Sequence, residues 1–202
     1  MAERRVSSGD SRVLADAERA GKGQQTWKHK GIANALRGYL KRRGLKVFRC
    51  DPDYGLLPAT LAGEKRNRFY DLMKRYSFRL FLREVIKRQD GFGKEEVVKY
   101  SSLRTVNEYM NFLSLCSLLT KVSNNDYALT IRPVFSFGIT LEWFVAEIFK
   151  REFDCEALYG VRFREAPAGG DYDVIALWEN KLIYMETKSS PPKGIEKKEI
   201  KA

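Results

Sequence analysis

The stretch that most restricts how this chain can fold is residues 169–192, GGDYDVIALWENKLIYMETKSSPP. Tyr172, Val174, Ala176 and Trp178 alternate with Asp173, Ile175 and Leu177, which is the period of a strand. Glu179 and Asn180 make a turn, and Lys181 to Lys188 returns as a second β-rich run, so the stretch reads as a hairpin. Side chains two apart on a strand share a face, which sends Glu186 and Lys188 the same way. Asp173 on the neighbouring strand can meet them across the pair. Charges on a hairpin are ordinarily just solvated. Here, however, Glu186 and Lys188 close an apolar run, Leu182 to Met185, and a buried strand that ends in charge needs partners or a ligand. Two carboxylates and an amine at strand ends suit a hard divalent cation, with oxygen ligands on the ion and the amine beside the water or phosphate it polarises.

Charge is the second constraint. The net charge is +11, and it is uneven: residues 1–100 carry 24 Lys and Arg against 12 Asp and Glu, residues 101–202 carry 13 against 14. A basic first half and a nearly neutral second half fit a polyanion gripped by one and presented to the other, with solubility alone as the plainer explanation. The apolar and aromatic fractions, 44% and 12%, are those of a globular chain. No apolar run is long enough for a transmembrane helix, and the first residues lack the apolar core of a signal peptide. Cys50, Cys116 and Cys155 are far apart and odd in number, which predicts free thiols in a reducing cytoplasm rather than disulfides or a zinc site. His29 is the only histidine, which argues against a histidine-based triad or a histidine-rich metal site.

Residues 1–26 are polar and read as a flexible basic tail. Residues 27–62 read as a basic helix–strand segment. Ile32, Ala35, Leu36, Tyr39 and Leu40 predict a helix over 29–43 with Lys41, Arg42 and Arg43 at its end, and a strand follows over 45–50. Residues 63–133 form the next unit. Phe69 to Gln89 predicts one strongly amphipathic helix, rich in cations (Arg66 and Arg68 just before it, then Lys74 and Arg75). A short helix over 94–100, a third over 103–118 behind the cap Ser101-Ser102, and a hairpin over 121–132 follow. Three helices and a β-wing resemble a winged-helix domain. The third helix, which usually enters the major groove in such domains, offers Arg104, Thr105, Asn107, Glu108 and Asn111, a weakly basic face. A structural or dimerising role is as consistent with it as base contact.

The last unit, residues 134–202, opens on an amphipathic helix, TLEWFVAEIFKREF, with Glu142 flanking its apolar stripe and Glu147 as the alternative acidic candidate. A strand over 155–163 and the hairpin complete it. The helix with Leu141-Glu142, then Gly170-Asp-Tyr-Asp173-Val-Ile-Ala, then Tyr184-Met-Glu186-Thr-Lys188, resembles the core of the restriction-endonuclease-like PD-(D/E)xK nuclease superfamily, closest to Holliday-junction-resolvase-like domains. The fold expected is therefore α/β (α+β): a winged-helix-like helical unit before a helix packed on a mixed sheet.

What the resemblance implies is a Mg2+- or Mn2+-dependent nuclease hydrolysing phosphodiester bonds, DNA first among substrates. Asp173 and Glu186 would ligate the metal, Glu142 would complete the acidic set, and Lys188 would orient or activate the attacking water; Asp171 is the runner-up for the acidic position. Lys41, Arg42, Arg43, Arg66, Arg68, Lys74 and Arg75 are the expected nucleic-acid contacts. A homodimer is expected because cutting both strands usually takes two sites, and no membrane is involved. The superfamily core continues after Glu-x-Lys with a further helix and strand, whereas only 194–202 remain here, so the core is truncated or completed by another chain or by the helix and strand of 29–50. The competing reading is a non-catalytic nucleic-acid-binding or assembly protein built on an inactive nuclease-like core.

Overall fold

A computed structural model describes residues 35–164 and 171–189. The expected tail 1–26, the first residues of the helix predicted from 29, the loop 165–170 and the segment 194–202 lie outside the described residues.

Helix α1 spans Ala35–Arg42 and strand β1 Val47–Arg49. The predicted 69–89 helix is two helices, α2 (Gly63–Met73) and α3 (Tyr76–Lys87). The break comes where Arg75 adopts an extended backbone, and Arg79 donates to the carbonyls of Met73 and Lys74 that α2 leaves open. A continuous apolar stripe is blind to such a break, because both pieces bury the same face. Next come β2 (Phe92–Gly93), α4 (Lys94–Val97) and α5 (Leu103–Leu115), the last capped by the Ser102 hydroxyl on the Thr105 N–H at 3.2 Å. Strands β3 (Leu119–Lys121) and β4 (Asp126–Leu129) form the predicted hairpin, and β2 joins them in a three-stranded sheet of order β2-β4-β3.

Helix α6 (Gly138–Glu152) links this helical part to the second sheet. Strands β5 (Glu156–Phe163), β6 (Asp171–Trp178) and β7 (Lys181–Met185) pair in sequence, and β1 pairs with β5, giving the order β1-β5-β6-β7. Among the described residues every pairing is antiparallel, where the resemblance implies a mixed sheet. Short connections such as the Glu179-Asn180 turn allow only antiparallel neighbours; both its residues have positive φ, 49° and 62°, as a tight hairpin requires.

Two apolar clusters hold these layers. The larger runs from Leu56 and Leu57 through α2–α6 to the inner face of β5 and β6, so the units predicted as 63–133 and 134–202 share one continuous core. Phe69 packs edge-on against both Phe78 and Trp143, and Tyr70 packs against Phe144. The smaller cluster lies on the sheet's other face, where Leu36 and Leu40 of α1 meet Leu158, Val161 and Ile175. Glu156 anchors α1 there by accepting from the Ala35 and Leu36 N–H groups, each at 3.0 Å, a carboxylate at the positive end of the helix. Tyr39 donates to the Asn180 carbonyl at 2.6 Å and ties α1 to the hairpin turn. The helix and strand of the basic N-terminal segment are thus built into this sheet.

One glycine sets the geometry of the sheet's far end. Leu158 and Val161 pack into the same cluster, as do Tyr172 and Ile175 on the paired strand. Residues three apart on a regular strand face opposite ways, so the alternation slips by one between them. The slip falls at Gly160, whose φ is +55° and whose missing side chain makes room for Pro52: a Cβ there would lie 2.9 Å from Pro52 Cδ. Gly160→Ala is expected to cost about 1–3 kcal/mol in urea unfolding. Trp143→Ala, which empties a fully buried site between α6 and α2, is expected to cost about 3–5 kcal/mol in the same measurement.

Candidate functional site

The slip at Gly160 turns the end of β6 towards the N-terminal half of α6. Glu142, Asp171 and Asp173 consequently line one cleft of about 240 Å3, closed by Arg49, Pro52, Ile139, Gly160, Arg162 and Tyr172. Its walls are rigid. Asp51 exchanges hydrogen bonds with the backbone of Tyr159, whose hydroxyl donates to the Pro52 carbonyl at 3.1 Å, and the Leu57 N–H reaches buried Thr140 on α6.

Glu142 is the electrostatic centre of the cleft. Its burial, and then the carboxylates of Asp173, Asp171 and Glu186 in that order, push its pKa up to about 7 from an ordinary 4.5; the Gly160 backbone acts weakly in the opposite sense. The other three acidic groups proposed from the sequence therefore all act on Glu142. Asp171 is paired with the Arg162 guanidinium, which raises the arginine's pKa. Asp173 accepts from the Thr187 N–H at 2.6 Å and the Thr187 hydroxyl at 3.1 Å. Glu186 and Lys188 do share a face and bond at 2.8 Å; Lys188, and then the Tyr184 hydroxyl, hold the Glu186 pKa down. Burial and Glu186 raise that of Tyr184 in turn.

Thr187, which lies between Glu186 and Lys188 in sequence, thus donates to Asp173 across the strand pair. Among the described residues, no group of three or more His, Cys, Asp or Glu side chains is gathered tightly enough to hold a metal ion. Glu147, the alternative to Glu142, faces elsewhere and is held by Arg151 at 2.8 Å and Lys150 at 3.5 Å.

Several expected nucleic-acid contacts are committed to the fold. Arg66 lies over the Trp143 ring, and Lys74 bonds Glu152 at 2.7 Å beside the Tyr70 ring. Arg42 and Arg43 lie against Tyr39 with their side chains exposed, while Lys41, Arg68 and Arg75 are exposed to solvent. On α5, Arg104 pairs with Glu108 at 3.5 Å. Arg162, Thr187, Arg49 and Gly160 are site residues that sequence reasoning missed. A lone glycine inside a strand pattern was the available signal for the last of these. The other three carry no local signature. All three cysteines are free thiols. No helix among the described residues is long and apolar enough to cross a membrane.

Comparison with models of known protein families, with characterised proteins and with solved structures gives no match to this chain.

The folded protein keeps the Glu142 proton up to about pH 7, while the unfolded chain releases it near 4.5, so the folded state binds more protons between those values. Stability from this group is therefore present in full below pH 4.5 and falls as pH rises through 7. Glu142→Gln should stabilise the protein at pH 8 by about 1–2 kcal/mol, after allowance for partial solvent screening, and the gain should vanish towards pH 4.5. Thermal denaturation of both proteins at pH 5 and pH 8 measures it.

Proposed function

We propose that this chain is a divalent-metal-dependent phosphodiester hydrolase acting on nucleic acid, DNA first, through a PD-(D/E)xK-like site. The observation that carries the reading is that Asp171 and Asp173 share a cleft with Glu142, whose pKa is pushed up to about 7 by burial first and then by Asp173, Asp171 and Glu186. Four hard oxygen donors with a mutual electrostatic cost are what a divalent cation relieves. By its oxygen chemistry the donor set suits Mg2+ or Mn2+, which Asp173, Glu186 and Glu142 would hold once drawn together, since they are not gathered around an ion in this structure.

Bound there, the cation would polarise a phosphoryl oxygen and lower the pKa of the attacking water. The chain's own residues have separable tasks. Lys188, beside Glu186, is placed to orient a water and to offset charge building on the phosphate. Arg162 fixes Asp171, and Thr187 fixes Asp173, which limits how far either carboxylate can swing. Arg49 on the wall gives the entering phosphate a cation in an otherwise acidic cleft. The helix–strand–helix–helix–strand–strand order of α3 to β4 supports a winged-helix-like unit beside the site. Its weakly basic third helix favours a structural or dimerising role over base reading.

The second reading, a non-catalytic nucleic-acid-binding or assembly protein, draws on a specific observation: Glu186 is occupied by Tyr184 and Lys188, so the ligand set is not gathered. Substitution separates the two. With Mg2+ or Mn2+ present, Asp173→Asn and Lys188→Ala should each lower cleavage of plasmid or single-stranded DNA at least about 100-fold, and EDTA should abolish it. DNA affinity should stay within about 2-fold and fall steeply with salt. Binding without any metal-dependent cleavage by the unmodified protein would leave the second reading standing.

A further inference from the structure

Phe135 and Tyr54 are 77% and 62% exposed, yet their rings touch, with centroids 6.0 Å apart. Single exposed apolar residues are ordinary on protein surfaces; two aromatic rings held together in solvent by separate loops are a built feature. The loops are those that wall the cleft. Tyr54 follows Pro52 on the segment clamped to Tyr159, and Phe135 precedes the start of α6, where Ile139 and Glu142 line the cleft. The two loops run close together: a Cβ at Gly55, whose φ is +75°, would lie 3.9 Å from the Pro133 carbonyl. Arg49 enters the wall of the same cleft, and its neighbour Phe48, 65% exposed, carries the Arg164 guanidinium over its ring.

An exposed ring pair, on two loops that also supply Pro52 and lead into Ile139 of an arginine-bearing cleft, matches the physics of single-strand binding. Bases stack on aromatic faces while cations follow the backbone. An intact duplex uses such rings less well, because its bases are already stacked and a ring can enter only at the cost of unstacking a base step. We infer that Tyr54 and Phe135 form a stacking platform for unpaired bases, which selects single-stranded nucleic acid for this cleft. The inference deepens the hydrolase reading by naming the substrate's strandedness, but it stands on binding, not cleavage.

The test uses the full chain in EDTA, with fluorescence anisotropy on a fluorescein-labelled oligo(dT) of about 12 nucleotides and on a duplex of equal length. The unmodified protein should prefer the single strand. Tyr54→Ala with Phe135→Ala should weaken single-strand binding about 10- to 100-fold, move duplex binding less than about 2-fold and leave the salt dependence of binding unchanged. Tyr54→Phe with Phe135→Trp should restore it. Equal loss on both probes, no loss on either, or a loss accompanied by a change of oligomeric state in size-exclusion chromatography would overturn the proposal, the last by assigning the rings to a second copy. Failure of metal-dependent cleavage with the single-strand preference intact would remove the hydrolase reading and leave this inference standing.

Discussion

The structure depends on helix α6 being buried on two sides at once. Trp143 is fully buried and meets Phe69 of α2 edge-on, while the same helix lies across β5 and β6. Its apolar residues therefore join the helical part and the four-stranded sheet into one core, with packing on both sides of a single element. Glu142 sits at the border of that packing. The burial that raises its pKa follows from the helix being pinned, because a helix free to lift would let the carboxylate reach water.

The opposing wall comes from the sheet, and it requires Gly160. A regular β5–β6 pair would keep Asp171 and Asp173 on the face of Ile175, among the α1 contacts. The left-handed glycine shifts the alternation, and Pro52 occupies the space its side chain would take. Loop 51–57, through Asp51, Pro52 and Leu57, then fastens that corner to both β5 and α6. The placing of Asp171 and Asp173 opposite Glu142 thus follows from one local departure from strand geometry, held by tertiary bonds.

The electrostatics show restraint on both sides of the carboxylates. Asp171 has Arg162, Asp173 has Thr187 and Glu186 has Lys188 and Tyr184, while Glu142 absorbs the residual repulsion by holding its proton. Such an arrangement is poised: adding positive charge to the cleft releases that proton, and removing any one partner redistributes the strain. The N-terminal cations are divided similarly, Arg66 and Lys74 serving the core's edge while Arg68 and Arg75 remain exposed.

Most secondary structure was legible in the chain because it follows from local periodicity and turn chemistry. The β6–β7 hairpin with its Glu179-Asn180 turn, the amphipathic α6, the Ser102 cap and the 119–129 hairpin all come from residues close in sequence. The shared face of Glu186 and Lys188 is of the same kind. Local pattern could not show the break between α2 and α3, since both bury the same stripe. Nor could it show that α1 and β1 complete the sheet beside β5, more than a hundred residues away. The pairing of Asp173 with Thr187, of Asp171 with Arg162, and the cleft itself arise only where distant segments meet. Sequence alone supplied the chemical groups and the strands that carry them; which groups face each other was decided by packing, because register, burial and a single glycine's φ are set by contacts that no local window contains.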